Sequence, residues 1–149
     1  MNELERFRSG NLRQLLTRST RRFNERIVGA LRTRGYADVR IAHSTVLANL
    51  DLSGNSVSEI AARALVPKQA VSKLVLELEE MGYLTREVHE LDGRSIVVRF
   101  TRRGVKLMRE TFDMIAELEG EVAATLGPRR YRALCASLAA LAAERPTGA

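Results

Sequence analysis

Residues 56–101 read SVSEIAARALVPKQAVSKLVLELEEMGYLTREVHELDGRSIVVRFT, and the organisation of the chain follows from them. Ser56 and Glu59 form a capping-box pair, in which the hydroxyl accepts from the Glu59 amide while the carboxylate reaches back. Ile60, Ala61, Ala64 and Leu65 then supply a small apolar face for a short helix. Pro67 ends it and starts another, because a proline N–H is not missed at a first helical position and Val66 before it is pushed extended. In the second helix Val71, Leu74, Val75, Leu78 and Met81 share one face. Lys68, Gln69, Ser72 and Lys73 are left pointing away from the core in the first two turns. Gly82 closes that helix. Leu84–Val88 and Ser95–Phe100 follow as a hairpin, with Ile96, Val98 and Phe100 alternating against Val97 and Arg99. The connection holds His89, Glu90, Leu91, Asp92, Gly93 and Arg94, and the glycine gives its tip the needed backbone freedom. Two helices across a tight turn, followed by a hairpin, make a helix-turn-helix with a β-wing.

The outward residues are short or basic and sit at the positive end of the second helix. That is where a recognition helix meets base edges and phosphates. An arginine on a loop tip is ordinarily just solvated, but beside a recognition helix Arg94 is a candidate for the minor groove.

The runs VSKLVLELEEMGYLTR and DGRSIVVRFTRRG resemble the winged-helix core of the MarR family of bacterial transcriptional regulators. That family's wing carries an Asp-x-Arg pattern, a hydrophobic strand and Thr-x-x-Gly, matched here by Asp92, Arg94, Thr101 and Gly104. The resemblance implies that Arg94 contacts DNA and that Asp92 steadies the wing. Gly93, where a second arginine is common, and Leu65, where many such turns place glycine, depart from the pattern. The expected fold is mainly α with a small β-wing: a winged helix-turn-helix over residues 41–100, flanked by helical dimerisation regions over 1–40 and 101–149. The expected DNA-binding residues are Ser56, Lys68, Gln69, Ser72, Lys73, Arg86, Asp92 and Arg94, with helix 67–82 in the major groove and wing 89–95 in the minor groove.

Charge agrees with a polyanionic partner. The chain of 149 residues carries +6 formally, and residues 1–40 alone hold ten arginines against four acids. The longest weakly polar run, residues 134–143, is ten residues and too short to span a bilayer. No charged-then-apolar leader opens the chain, so a cytoplasmic protein without a membrane partner is expected. The single Cys135 permits no intrachain disulfide and reads as a small apolar packing residue.

Residues 1–10 read as a frayed arm. Leu12, Leu16, Phe23, Ile27 and Leu31 then hold helical spacing as far as Gly35, with arginines on the other faces. Ile41 to Leu50 reads as a second helix containing His43, a residue expected to be hydrogen-bonded structure rather than a sensor. After the wing, Thr101 caps a long helix whose apolar positions are Val105, Met108, Phe112, Ile115, Leu118, Val122 and Leu126. Gly127-Pro128 ends it, and the last helix carries Tyr131, Leu134, Leu138 and Leu141 before a tail expected to be disordered. So small a winged domain cannot hide these stripes, which predicts a homodimer.

No zinc-type spacing joins His43, His89 and Cys135, and no phosphate-binding glycine loop appears. Neither an enzyme nor a metal or other cofactor is therefore expected. Glu77, Glu79 and Glu80 read as a solvated acidic face behind the recognition helix. The function expected is a dimeric regulator of transcription, a ligand-responsive repressor on a pseudo-palindromic double-stranded DNA operator. The rival is a winged-helix protein-interaction module without specific DNA binding. By resemblance, a small aromatic or anionic effector would sit near Tyr36, Arg40, His43 and Phe112.

Overall fold

The computed structural model describes residues 10–88 and 96–143. The expectations for the N-terminal arm, for the wing tip with Asp92 and Arg94, and for the C-terminal tail lie wholly or almost wholly outside these residues. The chain divides into two compact units, Met1–Phe112 and Asp113–Ala149.

Helix α1 runs Leu12–Thr33, started by the Asn11 side chain, which accepts from the Gln14 amide at 2.9 Å. Gly35 at φ +93° turns the chain out of it, and the Tyr36 amide closes back on the Leu31 carbonyl at 3.0 Å. Leu31 is the one residue of α1 that is buried; Leu12, Leu15 and Leu16 are exposed.

The single helix expected over Ile41–Leu50 is shorter. A 3-10 turn, Ile41–His43, leads into the four-residue α2, Ser44–Leu47. Asn49 stops it: its side-chain amide takes the Thr45 carbonyl at 2.9 Å, so its own N–H falls back on Val46. Val46, Leu47 and Leu50 still enter the core.

Helix α3, Val57–Ala64, has the expected capping box, with Ser56 N–H donating to Glu59 at 2.7 Å and Glu59 N–H to the Ser56 hydroxyl at 3.2 Å. Ile60 and Ala61 are buried, but Leu65 is not part of that face. It adopts a left-handed conformation at φ +55°, ψ +40° and is 91% exposed. The cap itself demands this, since the amides of Leu65 and Val66 must turn back onto Ala62 and Ala61. Helix α4, Lys68–Glu80, is entered through Pro67 and buries Val71, Val75 and Leu78.

Three strands, β1 (Asn55–Ser56), β2 (Leu84–Val88) and β3 (Ile96–Phe100), form an antiparallel sheet in the order β1-β3-β2. The short β1 was not foreseen, and it changes the reading of β3. With neighbours on both edges β3 is central, and Val97 and Val98, adjacent and facing opposite ways, are both buried, while Ile96 is exposed. The simple alternation expected for β3 does not hold. Gly54, at φ +92°, lets the chain cross β3, since a Cβ there would lie 2.7 Å from the Val97 side chain.

The Thr101 hydroxyl caps the next helix by accepting from Gly104 N–H at 3.0 Å, while the Thr101 amide donates to the Tyr83 carbonyl at 3.0 Å. Gly104 is required here, because any Cβ would lie 2.1 Å from the Tyr83 carbonyl oxygen. Helix α5 runs Arg102–Leu126, and its buried residues are Gly104, Leu107, Met114 and Leu118. Of the expected stripe only Leu118 is buried; Val105, Met108 and Ile115 are half-buried and Phe112 is exposed. The helix carries two apolar stripes, and apart from Leu118 its buried residues lie off the one foreseen. Helix α6, Pro128–Ala143, buries nothing, and Cys135, expected inside, is exposed. No helix among the described residues is long and apolar enough to cross a membrane.

Candidate nucleic-acid interface

The first two turns of α4 stand clear of the core. Lys68, Gln69 and Lys73 are exposed and Ser72 is half-buried, as the spacing of the buried valines requires. Neither lysine has an acidic partner among the described residues. Other cations of the same segment are paired. Arg63 meets Asp51 at 2.8 Å, Arg86 meets Glu79 at 2.7 Å, and Arg99 meets Glu87 at 3.2 Å while also donating to the Ser53 carbonyl. The unpaired positive charge of the segment thus sits at the start of α4, next to the partial positive charge of the helix end.

The predicted site residues are therefore of two kinds. Lys68, Gln69, Ser72 and Lys73 lie together on one accessible face. Ser56 and Arg86 do not join them in the same way: the Ser56 hydroxyl is engaged twice with Glu59, accepting its amide and donating to its carboxylate at 2.9 Å. Arg86 is held on β2 by Glu79 from the end of α4. The β2–β3 register, from Leu84 opposite Phe100 to Val88 opposite Ile96, leads directly into 89–95.

The acidic face behind α4 is not simply solvated, as had been expected. Glu77 is engaged by Arg40 and lies 3.1 Å from Nε2 of His43, whose side chain is fully buried. Nδ1 of that imidazole accepts from the Arg40 backbone N–H at 3.0 Å, so His43 is hydrogen-bonded structure, as anticipated. The His43 hydrogen bond, opposed by partial burial and aided by Arg40, holds the Glu77 carboxyl below the usual carboxylate range. Only Glu80 matches the solvated reading.

A second polar cluster ties the segment before the 3-10 turn to the end of α4 and the start of α5. The Tyr83 hydroxyl donates to Asp38 at 2.7 Å and accepts from Arg103 at 3.1 Å, and the Arg103 guanidinium lies 4.6 Å from the centre of the Tyr83 ring. Burial, then the Asp38 hydrogen bond, push the Tyr83 phenol above its ordinary pKa. Tyr36 behaves likewise, through burial and its 3.0 Å bond to Glu110. Neither cluster could be read from spacing, because the partners stand 34 and 45 residues apart. The one visible signal was an unusual residue, a histidine on an otherwise apolar stretch.

The four residues expected around an effector stand in different environments. Tyr36 and His43 are buried and committed to Glu110 and Glu77, while Phe112 is exposed. Arg40 lines an open cleft of about 500 Å³, shared with Glu25, Val28, Gly29, Arg32, Ile41 and Ala42. Among the described residues no group of three or more His, Cys, Asp or Glu side chains could hold a metal ion.

Comparison with known proteins agrees with this geometry. Residues 37–95 match the model of the MarR family. None of the curated proteins compared matches the chain. Among solved structures, the transcriptional repressor CouR bound to a 23-mer DNA duplex is 21% identical, with a TM-score of 0.73 over 95% of this chain and 99% of that one. CouR from Rhodococcus jostii RHA1 bound to p-coumaroyl-CoA is 22% identical, with a TM-score of 0.72 over 95% and 96%. MepR, a transcription regulator of the Staphylococcus aureus multidrug efflux pump MepA, is 18% identical, with a TM-score of 0.66 over 88% and 96%. Residues 37–95, which contain the helix-turn-helix and its first wing strand, thus match the MarR family model, and the chain shares the fold of these solved structures.

Proposed function

We propose that the protein is a dimeric, sequence-specific DNA-binding regulator of transcription. Helix 67–82 enters the major groove, with Lys68, Gln69, Ser72 and Lys73 facing base edges and phosphates, and wing 89–95 carries Arg94 into the adjacent minor groove. The observation that carries this reading is the unneutralised pair Lys68 and Lys73 at the start of α4, in a segment whose neighbouring arginines are matched to acids. The same fold lies on a duplex in CouR, which supports it further.

Residues 1–40 and 101–149 join two copies in this reading, since the exposed leucines of α1 and α6 have no cover among the described residues of one chain. Two-fold symmetry then calls for a pseudo-palindromic operator with half-sites about one helical turn apart. An anionic or small aromatic effector releases the DNA in this reading, with Arg40 and Arg32 as the cations of the cleft beside α1. Exposed Leu65 and Leu76 favour the rival reading, a protein-interaction module, because apolar side chains on the turn and on α4 suit a protein surface.

A titration of the purified protein against the DNA upstream of its own gene, with scrambled duplex as competitor, separates the two. Binding that survives the competitor and falls by about three to five decades between roughly 50 and 200 mM salt is expected for six to ten phosphate contacts. Equal affinity for scrambled DNA would remove sequence specificity, and no binding would favour the protein partner.

A further inference from the structure

Helix α4 buries Val71, Val75 and Leu78, and their packing sets which face of the helix meets the core, while directional bonds refine its rotation further. A helix that reads base edges needs that rotation closely fixed, because hydrogen bonds to bases tolerate only small errors in distance and angle. Glu77 is the residue of α4 whose polar bonds tie the helix to the stretch before it. It lies nine positions beyond Lys68 and four beyond Lys73, so it flanks the side of the helix that carries Lys73, one turn further from the DNA-reading end.

The partner of Glu77 is stiff. His43 is fully buried and has both ring nitrogens committed. Because Nδ1 accepts from the Arg40 backbone N–H, the neutral ring carries its proton on Nε2, and that N–H donates to Glu77 Oε2 at 3.1 Å. The ring is a short, rigid strut from the main chain before the 3-10 turn to Glu77 on α4. Arg40 also reaches Glu77, but through a long side chain that is 57% exposed, a form of contact that fixes little and is screened by solvent.

We propose that His43 is a positioning residue for DNA reading: by bridging the Arg40 main chain to Glu77 it sets the rotation of the recognition helix, and specific affinity depends on it although it touches no DNA. This rests on the DNA-reading function proposed above.

The test uses the full chain and the duplex that the wild-type protein enriches from a random-sequence pool, with a scrambled duplex alongside. Three variants are compared at a temperature where thermal unfolding shows each to be folded. His43→Leu removes both bonds at similar volume. His43→Gln restores an acceptor and a donor on one planar amide, and Arg40→Ala leaves the main-chain N–H and removes only the guanidinium. Loss of a buried hydrogen-bonded strut is expected to cost His43→Leu about tenfold or more in affinity for the enriched duplex, with scrambled affinity changed by less than about twofold. His43→Gln should recover to within about threefold of wild type, and Arg40→Ala should lose less than about threefold.

The proposal is overturned if folded His43→Leu keeps wild-type affinity, if it loses specific and scrambled binding in parallel, or if the glutamine variant is no better than the leucine. Should His43→Leu fail to fold, Glu77→Ala removes the same bond from the other end and is judged by the same criteria. A wild-type protein that enriches no sequence overturns the DNA-reading function and this role with it. Enrichment by wild type with no effect of either substitution overturns the role of His43 alone.

Discussion

The winged segment and the terminal helices solve the same problem, covering apolar surface, in opposite ways. Between Tyr36 and Gly104 the buried residues come from several elements, and Arg40, Arg63, Arg86, Arg99 and Arg103 each have an acidic partner. In α1 and α6 leucines recur at helical spacing and remain exposed, and α6 buries no residue at all. The first region is complete within one chain. The exposed leucines of α1 and α6 find no cover among the described residues, and in the proposed reading this difference separates recognition from assembly.

The largest effect that sharpens this comparison is expected in the terminal helices. Leu138→Asp places a charge on the uncovered stripe of α6; buried without a partner it costs about 3–5 kcal/mol at a dimer interface. Sedimentation should show monomers with an intact circular dichroism spectrum, and a fully dimeric variant would place the interface elsewhere. Next comes a substitution that attacks the self-contained region. Gly104→Ala drives a Cβ into the Tyr83 carbonyl, a main-chain atom that cannot step aside, and should lower stability by about 3 kcal/mol in denaturant unfolding. Little change there would mean that α5 is not seated on Tyr83 as described.

Replacing Arg94 by Ala should weaken specific DNA binding by about 1–3 kcal/mol, on the scale of one good base contact, without disturbing assembly. Unchanged affinity in a titration would remove the wing from the reading surface. The smallest effect has the opposite sign. Leu65 is the one non-glycine residue at positive φ among the described residues, and its side chain is almost wholly exposed. Leu65→Gly relieves about 1–2 kcal/mol of backbone strain, offset in part by the greater entropy glycine loses on folding. Thermal unfolding should show a net gain of up to about 1 kcal/mol.

What was legible in the sequence divides along a physical line. Interactions between residues three or four apart were readable: the Ser56–Glu59 box, the Thr101 cap on Gly104 and the outward set on α4 all stand where their spacing puts them. Interactions that close only when the chain folds were not. The pairing of β1 with β3 changes which valines are buried, and the His43–Glu77 and Tyr83–Asp38 bonds turn residues read as solvated or unassigned into fastenings. Helix α5 shows a third limit. Leu107 and Met114 lie on one of two apolar stripes, and periodicity alone does not say which stripe faces the chain's own core. Leu65 is the opposite case, where the local rule for a turn favours glycine and the fold imposes that conformation on leucine all the same.

The most direct test of the central claim, a complete winged segment that reads DNA and terminal helices that join two copies, is a native mass spectrum of the protein alone and with the duplex it enriches from a random pool. The account predicts a dimer in the free state and two chains on one duplex. A monomer that binds as one chain per duplex, or a dimer that enriches no sequence, would contradict it.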